Sequence, residues 1–100
     1  MQPILTDHLP QVQELCREYQ VQSMFAFGSV CTDSFTPTSD IDFLVSFLPM
    51  DFGDYADAYF EFADKLENIF HRKVDLITEK SLSNPFFIKS LEKTKTRIYG

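Results

Sequence analysis

Three aspartates and a Gly-Ser pair are the residues of this 100-residue chain whose types and spacing could do chemistry. Asp40 and Asp42 stand one residue apart at the head of the apolar run "DIDFLVSF". In a β-strand, residues i and i+2 share a face, with their Cα atoms about 6.5–7 Å apart. Two carboxylates at that spacing can converge on one or two hard cations. Mg²⁺ needs few protein ligands because it keeps waters or phosphate oxygens, so the pair predicts a Mg²⁺ site.

Asp75 supplies a third carboxylate in the middle of the apolar segment "KVDLI". An ionised group among apolar residues is costly to bury without a partner. If this segment is a strand beside the first one, Asp75 can reach the same metal site. It could also accept the proton of an attacking hydroxyl. The alternative is an ordinary ion pair between Asp75 and Arg72 or Lys73.

The pair Gly28-Ser29 follows the apolar segment "VQSMFAF" and precedes a probable turn or short helix. Glycine lets a ligand approach the backbone closely, and a helix N-terminus with a serine hydroxyl can hold phosphate oxygens. Most Gly-Ser pairs are simple turns. The phosphate-binding interpretation therefore depends on how near this pair lies to the aspartates.

The elements that must position these residues follow from apolar spacing and from capping signals. In chain order we predict a helix over 7–19, a strand over 21–27, a short helix or turn from 29, a strand over 40–47, a helix over 52–70, a strand over 73–78 and a helix over 85–94. The start of the last helix is marked by Asn84 as N-cap and Pro85 as first helical residue. The order α-β-α-β-α-β-α predicts an α/β (α+β) fold: one domain, residues 1–100, with helices packed on a small mixed sheet.

The helix over 52–70 has two faces of different character. The residues with helical spacing that predict its core face are Phe52, Tyr55, Ala56, Tyr59, Ala63, Leu66 and Phe70. The acidic residues that predict its solvent face are Asp54, Asp57, Glu61, Asp64 and Glu67. We therefore interpret the acidic stripe as a solvated surface and not as a binding site.

Composition and charge exclude several classes of protein. A net charge of −6 argues against direct nucleic-acid binding, and no apolar run is long enough to span a membrane. The N-terminus shows no secretory signal, and the two cysteines predict reduced thiols in a cytoplasmic protein. Residues 1–67 hold twelve acids and two bases, whereas residues 68–100 hold seven bases and three acids. The basic part could be an anion-binding face or a solvated helix face.

The segment "GSVCTDSFTPTSDID" fits the pattern Gly-Ser, ten residues, Asp-x-Asp. This pattern resembles the DNA polymerase β-like nucleotidyltransferase superfamily and, within it, the minimal nucleotidyltransferases, which are about as long as this chain. The resemblance extends to the third carboxylate in "VDLI", to the helix start "NPFF" and to the terminal "RIYG". Nearly the whole chain is covered.

The resemblance implies a nucleotidyltransferase fold. It also implies an enzyme that transfers AMP from ATP and releases pyrophosphate. Gly28 and Ser29 would bind the triphosphate. Asp40, Asp42 and Asp75 would hold Mg²⁺ in a two-metal site, where Asp75 helps to activate the acceptor hydroxyl. Many minimal members are antitoxins paired with a HEPN-domain toxin, and some transfer AMP to a tyrosine of that toxin. The implied partners are therefore a nucleoside triphosphate and a HEPN toxin.

The chain departs from the family's frequent Gly-Ser-Arg-x-Arg-Gly segment. Val30 and Thr32 stand where the arginines would be, and Asp33 stands where the glycine would be. Two phosphate-neutralising cations are thus absent and one anion is added, which opposes triphosphate binding. Lys80 and Lys89 are candidates to compensate.

Two alternative functions stay open. The departure favours a catalytically weak or inactive module of the same fold that neutralises its partner by contact, whereas the three carboxylates favour catalysis. A nucleotidyltransferase for small molecules, of the aminoglycoside type, is the other alternative, and the lack of a second substrate-binding domain weighs against it. The many aromatic residues could also form an interface, so an oligomer is possible.

Overall fold

The structure is a computed structural model that describes all 100 residues and contains one four-stranded sheet. Its helices and strands are α1 (Pro3–Asp7), α2 (Leu9–Glu18), β1 (Val21–Phe27), β2 (Ile41–Phe47), α3 (Phe52–Phe70), β3 (Val74–Thr78), α4 (Pro85–Thr94) and β4 (Thr96–Tyr99). Two 3-10 turns, Gly28–Cys31 and Glu79–Ser81, follow β1 and β3. The predicted fold class, a small mixed sheet with helices packed on it, is confirmed.

The strand order is β3-β2-β1-β4. β2 runs parallel to β3 and antiparallel to β1, and β4 runs antiparallel to β1. The C-terminal end of β1 therefore meets the N-terminal ends of β2 and β3 at one edge of the sheet. The register places Asp42 between Phe27 of β1 and Asp75 of β3. This edge gathers all the candidate site residues.

One face of the sheet carries the main core, which α1, α2 and α3 cover. Strand side chains alternate between faces. In β2 this alternation sends Ile41, Phe43 and Val45 into the core, where each is fully buried. The core contains 18 buried side chains and is completed from the helices by residues such as Leu5 and Phe62.

The opposite face, which we call the site face, is covered by α4 alone. Its apolar cluster has only three buried side chains, Phe27, Leu44 and Leu91. The predicted start of α4 is confirmed, because the Asn84 side-chain oxygen accepts a hydrogen bond from the backbone N–H of Phe86 at 2.9 Å. The site face is thus thinly packed, and the carboxylates of β2 and β3 lie on it.

The core face of α3 differs from the prediction at two positions. Phe52 is 88% exposed, whereas Phe62, which was not assigned to the core, is fully buried. A helix of 19 residues is about 28 Å long, whereas the five-residue strand β3 below it spans about 16 Å. The first turn of α3 therefore extends beyond the sheet. Glu67 also differs from the prediction, since its carboxylate accepts a hydrogen bond from the N–H of Val74 at 3.0 Å.

The ends of the chain also differ from the predicted order. The predicted first helix is two helices that meet at His8, because Pro10 has no N–H with which to continue the first one. β4 was not predicted at all. It exists through pairing with β1, in which Met24 lies opposite Tyr99, and no local pattern encodes so distant a contact. None of the helices is both long and apolar enough to cross a membrane.

Candidate active site

Asp42 and Asp75 lie side by side on the parallel strands β2 and β3. The pKa of Asp42 is raised to about 6, most of all by burial and further by the Asp75 charge, a hydrogen bond between the two carboxyl groups and the Asp40 charge. The pair thus holds a proton more tightly than an isolated carboxyl group does. A divalent cation in that place would cancel the repulsion.

Gly28 lies against the Asp42 carboxylate on the other side. Its φ of +76° falls in the left-handed region, and a Cβ at this position would lie 2.6 Å from Asp42 Oδ2. Only glycine meets both requirements without strain. Gly28, directly after β1, Asp42 in β2 and Asp75 in β3 therefore lie next to one another along this edge of the sheet.

The turn that begins at Gly28 is held from two directions. The Gly28 N–H donates to Thr94 Oγ1 at 2.9 Å, which joins the C-terminus of α4 to the turn. The carbonyl of Ser29 accepts from the N–H of Thr32 at 2.9 Å and from its hydroxyl at 3.0 Å. Sequence reasoning missed Thr94, because nothing in the local pattern connects it with a glycine 66 residues away.

The positions that depart from the family pattern have structural roles here. Val30 is fully buried in the main core, and Thr32 closes the turn. Asp33 is exposed. Of the two lysines proposed to compensate, Lys80 stacks over the Tyr55 ring at 5.8 Å, and Lys89 is exposed on α4. Val30, Thr32 and Asp33 thus leave the turn without the two arginines of the family pattern, and no ion pair joins Lys80 or Lys89 to a site carboxylate.

Asp40 lies directly before β2, where its carboxylate pairs with Lys73. It does not form a three-carboxylate ion site with Asp42 and Asp75. No group of three His, Cys, Asp or Glu side chains in the chain is placed to hold a metal ion. Instead, Lys73 lies between the carboxylates, with its Nζ 3.8 Å from Asp40 Oδ2 and 3.9 Å from Asp75 Oδ1. The ion-pair alternative for Asp75 is thus present through Lys73, whereas Arg72 donates to the carbonyl of Ser39.

A cleft of about 550 Å³ opens beside Asp42 and Asp75. The side chains that line it are Phe27, Asp42, Tyr59, Val74, Asp75, Leu76, Ile77 and Phe87. The rings of Phe27 and Phe87 meet edge to face at 5.9 Å. An apolar wall beside two carboxylates suits a ligand that has a planar ring and an anionic group bound through a metal ion.

The pair of carboxylates fits Mg²⁺ on the chemistry of its donors. Asp42 and Asp75 offer hard oxygen ligands, and Mg²⁺ is often bound by one or two carboxylates together with substrate phosphates. The missing Cβ at Gly28 leaves room beside Asp42 Oδ2. The structure therefore brings together Gly28 and two of the three predicted ligands, Asp42 and Asp75. The third, Asp40, is separated from Asp75 by the Lys73 ammonium group.

Comparison with known proteins agrees with this geometry. The family model described as nucleotidyltransferase domain matches residues 11–98, a range that contains every candidate site residue. A Methanocaldococcus jannaschii protein named as a candidate protein adenylyltransferase is 37% identical over 92 residues, which cover 84% of this chain and 91% of that protein.

Two solved structures share the fold. A candidate minimal nucleotidyltransferase superposes with a TM-score of 0.75 at 24% identity, covering 96% of this chain and 95% of that one. The Shewanella oneidensis complex of a tri-AMPylated HEPN toxin with its MNT antitoxin gives a TM-score of 0.65 at 22% identity, covering 95% and 71%. At these identities the likeness concerns the fold alone.

Proposed function

The chain belongs to the nucleotidyltransferase domain family, and from this premise we propose that it is an antitoxin that transfers AMP from ATP to a tyrosine hydroxyl of a HEPN-domain toxin. The observation that carries the proposal is that Gly28, at the end of β1, lies against Asp42 of β2, which in turn lies beside Asp75 of β3. We further propose that residues 1–100 act as one domain, in the cytoplasm, where ATP and Mg²⁺ are supplied.

The relatives support AMP as the transferred group and a protein as the acceptor. The M. jannaschii relative is named for adenylyl transfer to protein. In the Shewanella oneidensis complex the partner of the MNT antitoxin is a HEPN toxin that carries AMP. A tyrosine as the acceptor residue rests on the sequence resemblance.

In the proposed reaction, Gly28 and Ser29 hold the triphosphate, because the bare glycine backbone allows close approach beside Asp42. Asp42 and Asp75 would hold Mg²⁺, which would supply charge neutralisation of the phosphates. The acceptor oxygen forms a bond to the α-phosphorus, and the bond to pyrophosphate breaks. Asp75, at the open side of the pair, accepts the proton of the acceptor hydroxyl.

An exposed aromatic surface next to the cleft supports a protein as the acceptor. Phe52 is 88% exposed and Phe60 70% exposed. With Tyr55 they line a groove of about 390 Å³, the aromatic groove, which shares Tyr59 with the cleft. Large exposed apolar side chains in one patch are typical of protein interaction sites. A partner seated there would bring a hydroxyl close to Asp75.

A second candidate function is neutralisation of the toxin by contact alone. It is favoured by Val30, Thr32 and Asp33, which replace the two arginines and the glycine of the family pattern after the Gly-Ser pair. The two functions differ in what they require of Asp42. An antitoxin that acts by contact protects cells equally well after Asp42→Asn, whereas an adenylyltransferase does not.

The test is incubation of the purified chain with labelled ATP, Mg²⁺ and a co-expressed HEPN-domain toxin. We expect label on the toxin with the wild type and none with Asp42→Asn. Asp33→Asn is the matched control, because Asp33 is an exposed carboxylate away from the pair, and it should transfer AMP at least as well as the wild type. Equal labelling by wild type and Asp42→Asn, or none by the wild type, would contradict the proposal.

A further inference from the structure

Lys73 places a fixed positive charge within the group of carboxylates. Asp40 and Lys73 immediately precede the paired residues Ile41 and Val74, so they stand side by side. Because residues i and i+2 of a strand share a face, Lys73 points to the same face as Asp75. The distances of 3.8 Å to Asp40 and 3.9 Å to Asp75 agree with this arrangement.

Four of the other bases in residues 68–100 have partners elsewhere: Arg72, Lys80, Lys95 and Arg97 lie over aromatic rings. Arg72 packs on the Phe35 ring at 4.7 Å, and Lys95 and Arg97 lie over the Phe25 ring. Lys80 lies over the Tyr55 ring at 5.8 Å and makes no ion pair with the site carboxylates. Lys73 is therefore the base that contacts the site carboxylates.

We propose that the ammonium group of Lys73 serves as the second cation of the site, so that the chain uses one divalent cation and not two. The divalent cation belongs with Asp42 and Asp75, and Lys73 occupies the space between Asp40 and Asp75 where a second ion would bind. This inference rests on the proposed nucleotidyl transfer and replaces the two-metal arrangement that the resemblance implies.

The charges of the group support a single divalent cation. Asp40, Asp42 and Asp75 carry three negative charges when ionised and Lys73 cancels one, so the protein groups themselves, without the nucleotide, are neutralised by one divalent cation. A lysine ammonium is a compact point charge on a flexible stem, which suits it to stand in for an ion. A second divalent cation within about 4 Å of it would be repelled, even in a solvated site.

The placement of Lys73 also explains why no three carboxylates in the chain form a common ion site. Its Nζ keeps Asp40 and Asp75 oriented toward itself and away from a shared centre. The Lys73 side chain is 68% exposed, so these ion pairs contribute little to folding. Its removal should therefore change cation binding without unfolding the chain.

The experiment counts Mn²⁺ bound per chain in the complex with AMP-PNP, a nucleotide that is not turned over, by electron paramagnetic resonance. We expect one Mn²⁺ for the wild type. We expect two for Lys73→Met, the second bound roughly tenfold more tightly than any second ion of the wild type. Lys80→Met is the matched control and should bind one. Thermal unfolding checks that each variant is folded.

Each other outcome is decisive. Two Mn²⁺ ions in the wild type, or one in Lys73→Met, would overturn the role of Lys73 while leaving nucleotidyl transfer intact. A wild type that binds no Mn²⁺ with AMP-PNP would remove the proposed function and this inference with it.

Discussion

The two faces of the sheet differ in packing although the same strands form both. The main core buries 18 side chains, whereas the apolar cluster of the site face buries three. Along β2, Phe43 and Val45 point into the core, while Asp42 and Ser46 point to the site face. Alternation of strand side chains thus lets one strand stabilise the fold with one set of residues and carry chemistry with the other.

The difference in packing between the two faces explains why the site face can accommodate carboxylates. In the main core an unpaired carboxylate would carry the full penalty of burial. On the site face Asp42 keeps part of its hydration, and its pKa rises only to about 6. The thin packing of this face therefore allows paired carboxylates there, and the main core supplies the stability that the site face lacks.

The largest effect should come from opening the main core. Phe43→Ala removes a fully buried ring, and we expect the free energy of unfolding to fall by about 3–5 kcal/mol. Leu44→Ala, the next residue on the opposite face, should cost about 2 kcal/mol, because the three-residue cluster there collapses more easily. Urea unfolding measures both. Equal losses would contradict the contrast between the faces.

Alanine substitutions at two glycines should have opposite effects on stability, because one glycine is at a positive φ against a carboxylate and the other has free space around it. Gly28→Ala forces a Cβ to within 2.6 Å of Asp42 Oδ2 at a positive φ, so we expect a loss of about 1–2 kcal/mol and of AMP-PNP binding. Gly53→Ala in α3 meets nothing within 4 Å and should stabilise by about 0.5–1 kcal/mol. Calorimetric binding and thermal unfolding provide the readouts. An alanine at position 28 that binds nucleotide normally would argue against the Gly-Ser pair as the phosphate site.

The aromatic groove should matter for the partner and not for the fold. The double variant Phe52→Ser/Phe60→Ser should weaken binding to the HEPN toxin about tenfold, because buried aromatic anchors dominate interfaces. Binding of AMP-PNP and stability should stay near the wild type. Phe86→Ser is the control, since Phe86 is 84% exposed on α4 and does not line the groove. Equal weakening by both changes would indicate that the groove has no special role.

The smallest effect concerns the two cysteines and pH. Burial raises the pKa of the Cys16 thiol from 9.0 to about 12, so the folded state binds its proton more tightly than the unfolded state. The resulting stability is present below pH 9 and is lost as pH rises toward 12. The wild type should lose about 1.4 kcal/mol more than Cys16→Ala between pH 8 and pH 10. Cys31→Ala, at a partly exposed thiol, should follow the wild-type slope in denaturant titrations.

Local pattern predicted most of the fold because the helix caps, the strand alternation and the aspartate spacing are all local. The strand over 21–27 and the helix over 85–94 agree with the structure, since apolar alternation and the Asn84-Pro85 cap fix their bounds. β4 and the exposure of Phe52 escaped prediction because they depend on strand pairing and on helix length relative to the sheet.

The candidate site was predictable in its residues but not in its neighbours. Alternation alone places Asp42 on a face opposite to the core, and register then sets it against Asp75. Thr94 at the Gly28 N–H and Lys73 between the carboxylates are products of tertiary packing. The burial of Val30 is likewise invisible in a segment that reads as a polar turn.

The most direct test of the division between the faces measures two properties of Asp42→Asn on the same preparation. The carboxylate is repelled by Asp75 and lies outside the main core, so the free energy of unfolding in metal-free buffer should be unchanged or slightly higher. Transfer of AMP to the HEPN toxin should fall below detection. A destabilised variant that still transfers AMP at the wild-type rate would contradict the account.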